Sequence, residues 1–221
     1  MGDYTVQGAS VSLPSFNPSG AGDGPVAVTK RGEVLTIPYY QEWIDKERGY
    51  IASNAAKQTA LATGGVSYSD TAPAFILDVA AGTTMIPLSF RLRQGGTVAG
   101  GVITALITAD VIARYSSGGT AITPRNMKIG PTAPTRRASA VTVYGTSPTA
   151  AAVNTHISLY GAIVTIDVAT TPNTPQTIVT WPGVGEPVPN LVGPASIVIY
   201  TFAATTQPSW FFQFSWIEVD S

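Results

Sequence analysis

The sequence holds one histidine, His156, and two residues that could complete a hydrolytic set stand near it, Ser158 and Asp167. A nucleophile, a base and an orienting carboxylate are the parts of an acyl-transfer triad. Their spacing works against that chemistry: His156, Ser158, Tyr160 and Ala162 share one face of a strand, whereas Asp167 has the opposite parity and points away. One imidazole excludes metal sites built from two or three histidines, and the absence of cysteine excludes thiolate ligands, thiol nucleophiles and disulfides. Glycoside hydrolysis needs two carboxylates several ångströms apart, one with a raised pKa. The acids of the strand-rich region are Asp78, Asp110, Asp167 and Glu186, and the three aspartates end apolar runs, where Asp ordinarily accepts a turn amide. GGTVAGG and PGVGEP lack the phosphate-loop pattern, and GAGDG around Asp23 has too few carboxylates for a calcium loop. The expectation is a protein that is not an enzyme and takes no cofactor and no metal.

Arg125, Lys128, Arg136 and Arg137 form one basic cluster, in TPRNMKIGPTAPTRRAS. Nucleic-acid binding would interleave aromatics with such a cluster and carry more positive charge, but the segment has no aromatic and the formal net charge is −1. The cluster reads as a contact with an acidic protein partner or as a solvated loop. If the chain binds sugars, stacking would fall to Tyr39, Tyr40, Trp43 or Trp181.

These side chains sit in a chain with unusually little charge. Asp, Glu, Lys and Arg make up 11% of the 221 residues and apolar residues 44%, which points to a folded domain coated in Thr, Ser, Ala and Gly. Every Lys and Arg lies at or before Arg137, and beyond it the only charged residues are Asp167, Glu186, Glu218 and Asp220. That asymmetry could steer association between copies. The opening residues have neither a basic region nor an unbroken apolar core, so no secretory leader is expected. The charge-free run from Pro187 to Ile217 is interrupted by Pro189, Asn190, Pro194, Gln207 and Pro208, so a membrane-spanning helix is not expected either.

Residues 1–25 are rich in Gly, Pro, Ser and Asn, without any period, and read as an extended N-terminal arm. Residues 26–221 read as a single domain. Helical spacing of Tyr40, Trp43, Ile44 and Glu47 predicts about two turns of helix, and downstream the period is two. FILDV and MIPLSFRLRQ read as strand, turn, strand, with Gly82 freeing the turn and Pro87 belonging on an edge strand or near a strand start, so that the second arm sits at a sheet margin or bends there. In that strand Ile86, Leu88, Phe90 and Leu92 fall on one face. Further strands follow in GVITALITADVIARY, ASAVTVYG, THISLYGAIVTIDV, QTIVTW, PASIVIYTFA and PSWFFQFSWIEVD, the last with Trp210, Phe212, Phe214 and Trp216 on one core face. Short strands with Gly/Pro punctuation and no crossover helix predict an all-β, antiparallel jelly-roll β-sandwich with at most one short helix.

The strand GVITALITADVIARY is apolar on both faces, with Val102 and Leu106 on one and Ile103, Ala105 and Ile107 on the other. Either a second layer or a second subunit must cover it. The expectation adopted is a homotrimer held through the face of Ile103, Ala105 and Ile107.

LDVAAGTTMIPLSFRL, the loop YSSGGTAITPRNMK and the closing PASIVIYTFAATTQPSWFFQFSWIEV resemble jelly-roll virion proteins of tailed bacteriophages, in particular capsid cement or decoration proteins. The resemblance spans roughly Tyr50 to the C-terminus and rests on pattern. It implies a trimer where capsomers meet on the capsid surface, arms that grip the shell, the major capsid protein as partner, and no active site. The alternative is the receptor- or carbohydrate-binding head of a phage fibre or tail.

Overall fold

A computed structural model describes residues 39–54, 59–95, 101–130, 137–153, 155–166, 177–183, 185–203 and 209–221. The chain divides after Glu42, and everything below concerns the unit Trp43–Ser221 unless stated. The arm expected over residues 1–25 lies outside the described residues.

Among the described residues the one helix, α1, runs from Tyr39 to Asp45. It is stopped by a Schellman closure: Arg48 N–H donates to Trp43 O at 2.8 Å, Glu47 N–H donates to Ile44 O at 2.9 Å, and Glu47 takes a left-handed φ of 62°. The chain then enters β1 (Gly49–Ser53), a strand that the sequence pattern did not suggest.

Fourteen more strands follow: β2 (Leu61–Ala62), β3 (Phe75–Val79), β4 (Thr83–Gly95), β5 (Gly101–Asp110), β6 (Tyr115–Ser117), β7 (Thr120–Ile122), β8 (Arg125–Asn126), β9 (Val141–Gly145), β10 (Thr149–Ala150), β11 (Ile157–Ile166), β12 (Thr177–Trp181), β13 (Leu191–Val192), β14 (Ala195–Ala203) and β15 (Ser209–Asp220). The first sheet has the order β12-β4-β15-β1-β8, and the second β11-β5-β14-β3-β9-β7. Taking β1, β3, β4, β5, β11, β12, β14 and β15 as strands one to eight, the sheets read 1-8-3-6 and 2-7-4-5. That interleaving of two antiparallel sheets is the jelly roll. The residues between β5 and β11 form an insertion carrying β6 to β10; β7 and β9 extend the second sheet and β8 the first.

One apolar cluster joins the inner faces of both sheets, including Phe75, Leu77, Phe90, Ile107, Ile199, Phe212 and Phe214. Trp210, Phe212, Phe214 and Trp216 all face this core, as their spacing predicts, and Phe75 of the second sheet meets Phe212 and Phe214 of the first at 4.8 and 5.2 Å between ring centres. Each fully buried aromatic or large aliphatic side chain contributes about 1.5–3 kcal/mol.

The strand, turn, strand reading of FILDV and MIPLSFRLRQ holds, but β3 lies in the second sheet and β4 in the first, so Gly82 (φ +79°) turns a corner between sheets. Of the two places expected for the second arm, a margin or a bend, the margin is excluded, since β4 pairs with β15 on one side and with β12 and β13 on the other. Pro87 is tolerated because it falls between the short partners β13 and β12, and because Leu88 is an extra residue opposite the Ser215–Trp216 step. The bulge also swaps the faces: Met85 is buried before it, Phe90 and Leu92 after it, and Ile86 and Leu88 are only half-buried.

Candidate functional site

Ile103, Ala105 and Ile107 are 0% exposed within a single chain and belong to the core cluster shared by the two sheets. The expectation that they form a subunit interface is therefore corrected: the opposing sheet of the same chain is the layer that covers them. The other face of β5 is divided. Near Asp110 the insertion packs over it, with Ala150 and Tyr115 against Ile76, Val198 and Tyr200, and Tyr115 stacked on Tyr144 at 3.6 Å. Towards Gly101 it is more open. Val102 is 46% exposed and Ile163, paired with Thr104, is 74% exposed, beside half-buried Leu106 and Phe202 on the same face.

The insertion is pinned by a buried guanidinium. Arg114, with a fully buried side chain, forms ion pairs with Asp110 and with Asp70 (3.0 Å), and its Nε donates to Ala151 O at 2.7 Å. Asp78 accepts the amides of Arg114 and Tyr115, each at 3.0 Å, so it performs the turn-amide role expected of it. Burial pushes its carboxyl above the ordinary range, outweighing those two amides and the nearby Arg114 charge. Burial also pushes Asp70 up, but the Val153 amide and Arg114 overcome it and hold that carboxyl below its usual value. The Tyr200 hydroxyl donates to Asp70 O at 2.9 Å, and its own ionisation is pushed up, chiefly by burial. These carboxylates are engaged by donors that fasten a loop to a sheet, an arrangement suited to holding rather than reacting.

His156 is exposed at the mouth of this network, its Nδ1 4.0 Å from Asp70 Oδ1, and Asp167 lies outside the described residues. Glu186 accepts the Gly183 amide at 2.7 Å in its own turn. Among the described residues no group of three or more His, Asp or Glu is placed to hold a metal ion. Trp181, a candidate for sugar stacking, is instead buried against Phe90 at 5.3 Å. Tyr40 is exposed and half-buried Trp43 carries Lys46 over its ring at 5.4 Å, while the side chain of Tyr39 lies outside the described residues.

The basic cluster is dispersed. Arg137 and Arg48 both grip Asp220, Arg137 at 2.9 Å, and together they hold its carboxyl well below the carboxylate range. Lys128 donates to Asp45 O at 2.6 Å and lies 3.8 Å from Glu47. Arg125 is exposed on β8, and Arg136 lies outside the described residues. Sequence reasoning overlooked Asp70, Arg114 and Glu218. Glu218 is fully buried and accepts from Trp216 Nε1 and Ala140 N–H, both at 2.9 Å, and from the Ser139 hydroxyl. The available signal for Arg114 was ADVIARY itself, a lone acid and a lone base four residues apart in an apolar run.

These features define an antiparallel jelly-roll sandwich whose second sheet carries a pinned outer insertion. No family model, curated protein or solved structure matches the chain.

Proposed function

We propose that the protein is a non-enzymatic structural component of a virus particle, a cement or decoration protein that sits on the capsid surface as a homotrimer and binds the major capsid protein. The observation that carries this reading is the open end of the second sheet. Val102 and Ile163, with Leu106 and Phe202 beside them, present apolar surface on a chain with very little charge. Such a face gains from being covered, and a subunit interface covers it. The jelly roll and the sequence resemblance to phage cement proteins support the same reading, though a fold by itself does not carry function. Copies would meet at this outer face, and not at Ile103, Ala105 and Ile107.

Light scattering on the purified chain tests the trimer. A mass near three times 22.9 kDa is expected. Ile163→Asp should return the mass to that of one chain with the melting temperature of the fold retained. A single-chain mass for the unmodified protein at micromolar concentration would remove self-association from the proposal.

A further inference from the structure

Six arginines fall among the described residues, and the ion pairs divide them evenly. Arg48, Arg114 and Arg137 meet carboxylates. Arg91, Arg93 and Arg125 meet none among the described residues, and all three emerge on the outer face of the first sheet. Pairing fixes their places. One row across four strands reads Thr180, Arg91, Gln213, Ser53, and the adjoining row reads Thr177, Arg93, Phe211. Arg125 pairs with Ile51, two residues from Ser53 on the same face.

Two grooves lie over these rows. One, of about 410 Å³, is lined by Arg91, Arg93, Thr177, Phe211 and Gln213. The other, of about 460 Å³, holds Arg125 with Ser53, Asn54 and a set of threonines. Phe212 borders both, and Ser53 of one pairs directly with Gln213 of the other, so the grooves adjoin. Neither lining contains an acid. Strand spacings put Arg91 and Arg93 about 7 Å apart, and Arg125 on the order of 15 Å from them across three strand steps.

We propose that this face binds an acidic polysaccharide, with Arg91 and Arg93 on one anionic group, Arg125 on another, and Thr, Ser and Gln side chains on the sugar hydroxyls between them. Guanidinium forks suit carboxylate and sulfate alike, and these three break no ion pair with a described residue when they bind one. The other polyanions fit less well. Single-stranded nucleic acid binds through rows of stacking aromatics, and Phe211 is the one partly exposed aromatic in either lining. An acidic peptide can also meet arginines, but it would gain main-chain bonds only along a free strand edge, and β4 and β15, which carry the groove of Arg91 and Arg93, are each paired on both sides. This inference does not rest on the virion reading.

Titration calorimetry tests it with an oligogalacturonate and a heparin-derived oligosaccharide as the carboxylated and sulfated probes. Dextran, an oligothymidylate and a glutamate oligopeptide are the comparisons. At low salt at least one acidic saccharide should bind while dextran does not, and the affinity should fall as salt rises. Arg91→Gln with Arg93→Gln should weaken binding roughly tenfold or more, with melting unchanged because these side chains meet no carboxylate among the described residues. Arg125→Gln should weaken longer oligosaccharides more than short ones. Absence of binding to both acidic saccharides, equal binding by the double variant, or tighter binding of the oligothymidylate or the peptide would each overturn the proposal.

Discussion

Arg114 is the side chain on which the insertion between β5 and β11 depends. It is buried with two aspartates, and a neutral replacement would strand Asp110 beneath the loop without its counter-charge. Removing one partner of such a pair costs about 3–5 kcal/mol, so Arg114→Met should lower the denaturation midpoint by that measure. A loss below about 1 kcal/mol would show the loop to be held mainly by backbone bonds and apolar contacts. The carboxylates respond to pH with opposite signs. Asp70, held low, adds stability that is present above about pH 4 and is lost as pH falls through its folded-state value. Asp78, held high by burial, binds its proton more tightly folded than unfolded, so its titration opposes that loss. Melting followed from pH 6 downward should therefore fall less steeply in Asp70→Asn than in the unmodified protein, and equal slopes would contradict the role given to Asp70.

At the level of elements, close approach and burial decide what each strand tolerates. A Cβ on Gly193 would overlap the Ala80 carbonyl, where the turn before β14 crosses the corner between β3 and β4. Both contacts are backbone, so Gly193→Ala should cost about 2–3 kcal/mol in urea titration, and a neutral result would mean the corner yields. On β5 and β11 the two faces should answer differently. Ile107→Asp buries an unpartnered charge in the core and should unfold the domain, whereas Ile163→Asp lies at an exposed position and should leave melting nearly unchanged. Circular dichroism of the two variants makes the comparison. This contrast also marks how much of the fold was legible in the sequence. Alternation identified β15 and its four core aromatics, because a two-residue period over a long strand is a strong signal. It misread β4, where one bulged residue inverts the period, and it overlooked β1, whose five residues follow directly on a helix and its charged cap. The double apolarity of β5 signals a demand for cover, which the opposing sheet meets on the inner face and the insertion meets on the outer face near Asp110. What covers each face is a matter of distant pairing, which no local pattern encodes, and so a core face reads as an interface. Beyond the Asp110–Arg114 pair, the network was illegible for the same reason, since Asp70 and Asp78 reach it from separate segments.

For the molecule as a whole, the uneven charge along the chain finds a use inside it. Arg48 and Arg137, from the basic part, close on Asp220 near the C-terminus, so the asymmetry first serves to fasten the end of β15. Among the described residues, what is left over includes an apolar opening on the second sheet and, on the first, three arginines without a carboxylate partner. The two proposals assign these faces to two kinds of partner, protein on one and polyanion on the other, and the proposed structural role rests on the first. Its most direct test is co-sedimentation of the purified protein with empty shells of the major capsid protein proposed as its partner. The account predicts saturable binding in a fixed ratio to shell subunits, raised resistance of the shells to heat, and loss of both with Ile163→Asp. Protein that stays in the supernatant at micromolar concentration, with shell stability unaltered, would contradict it.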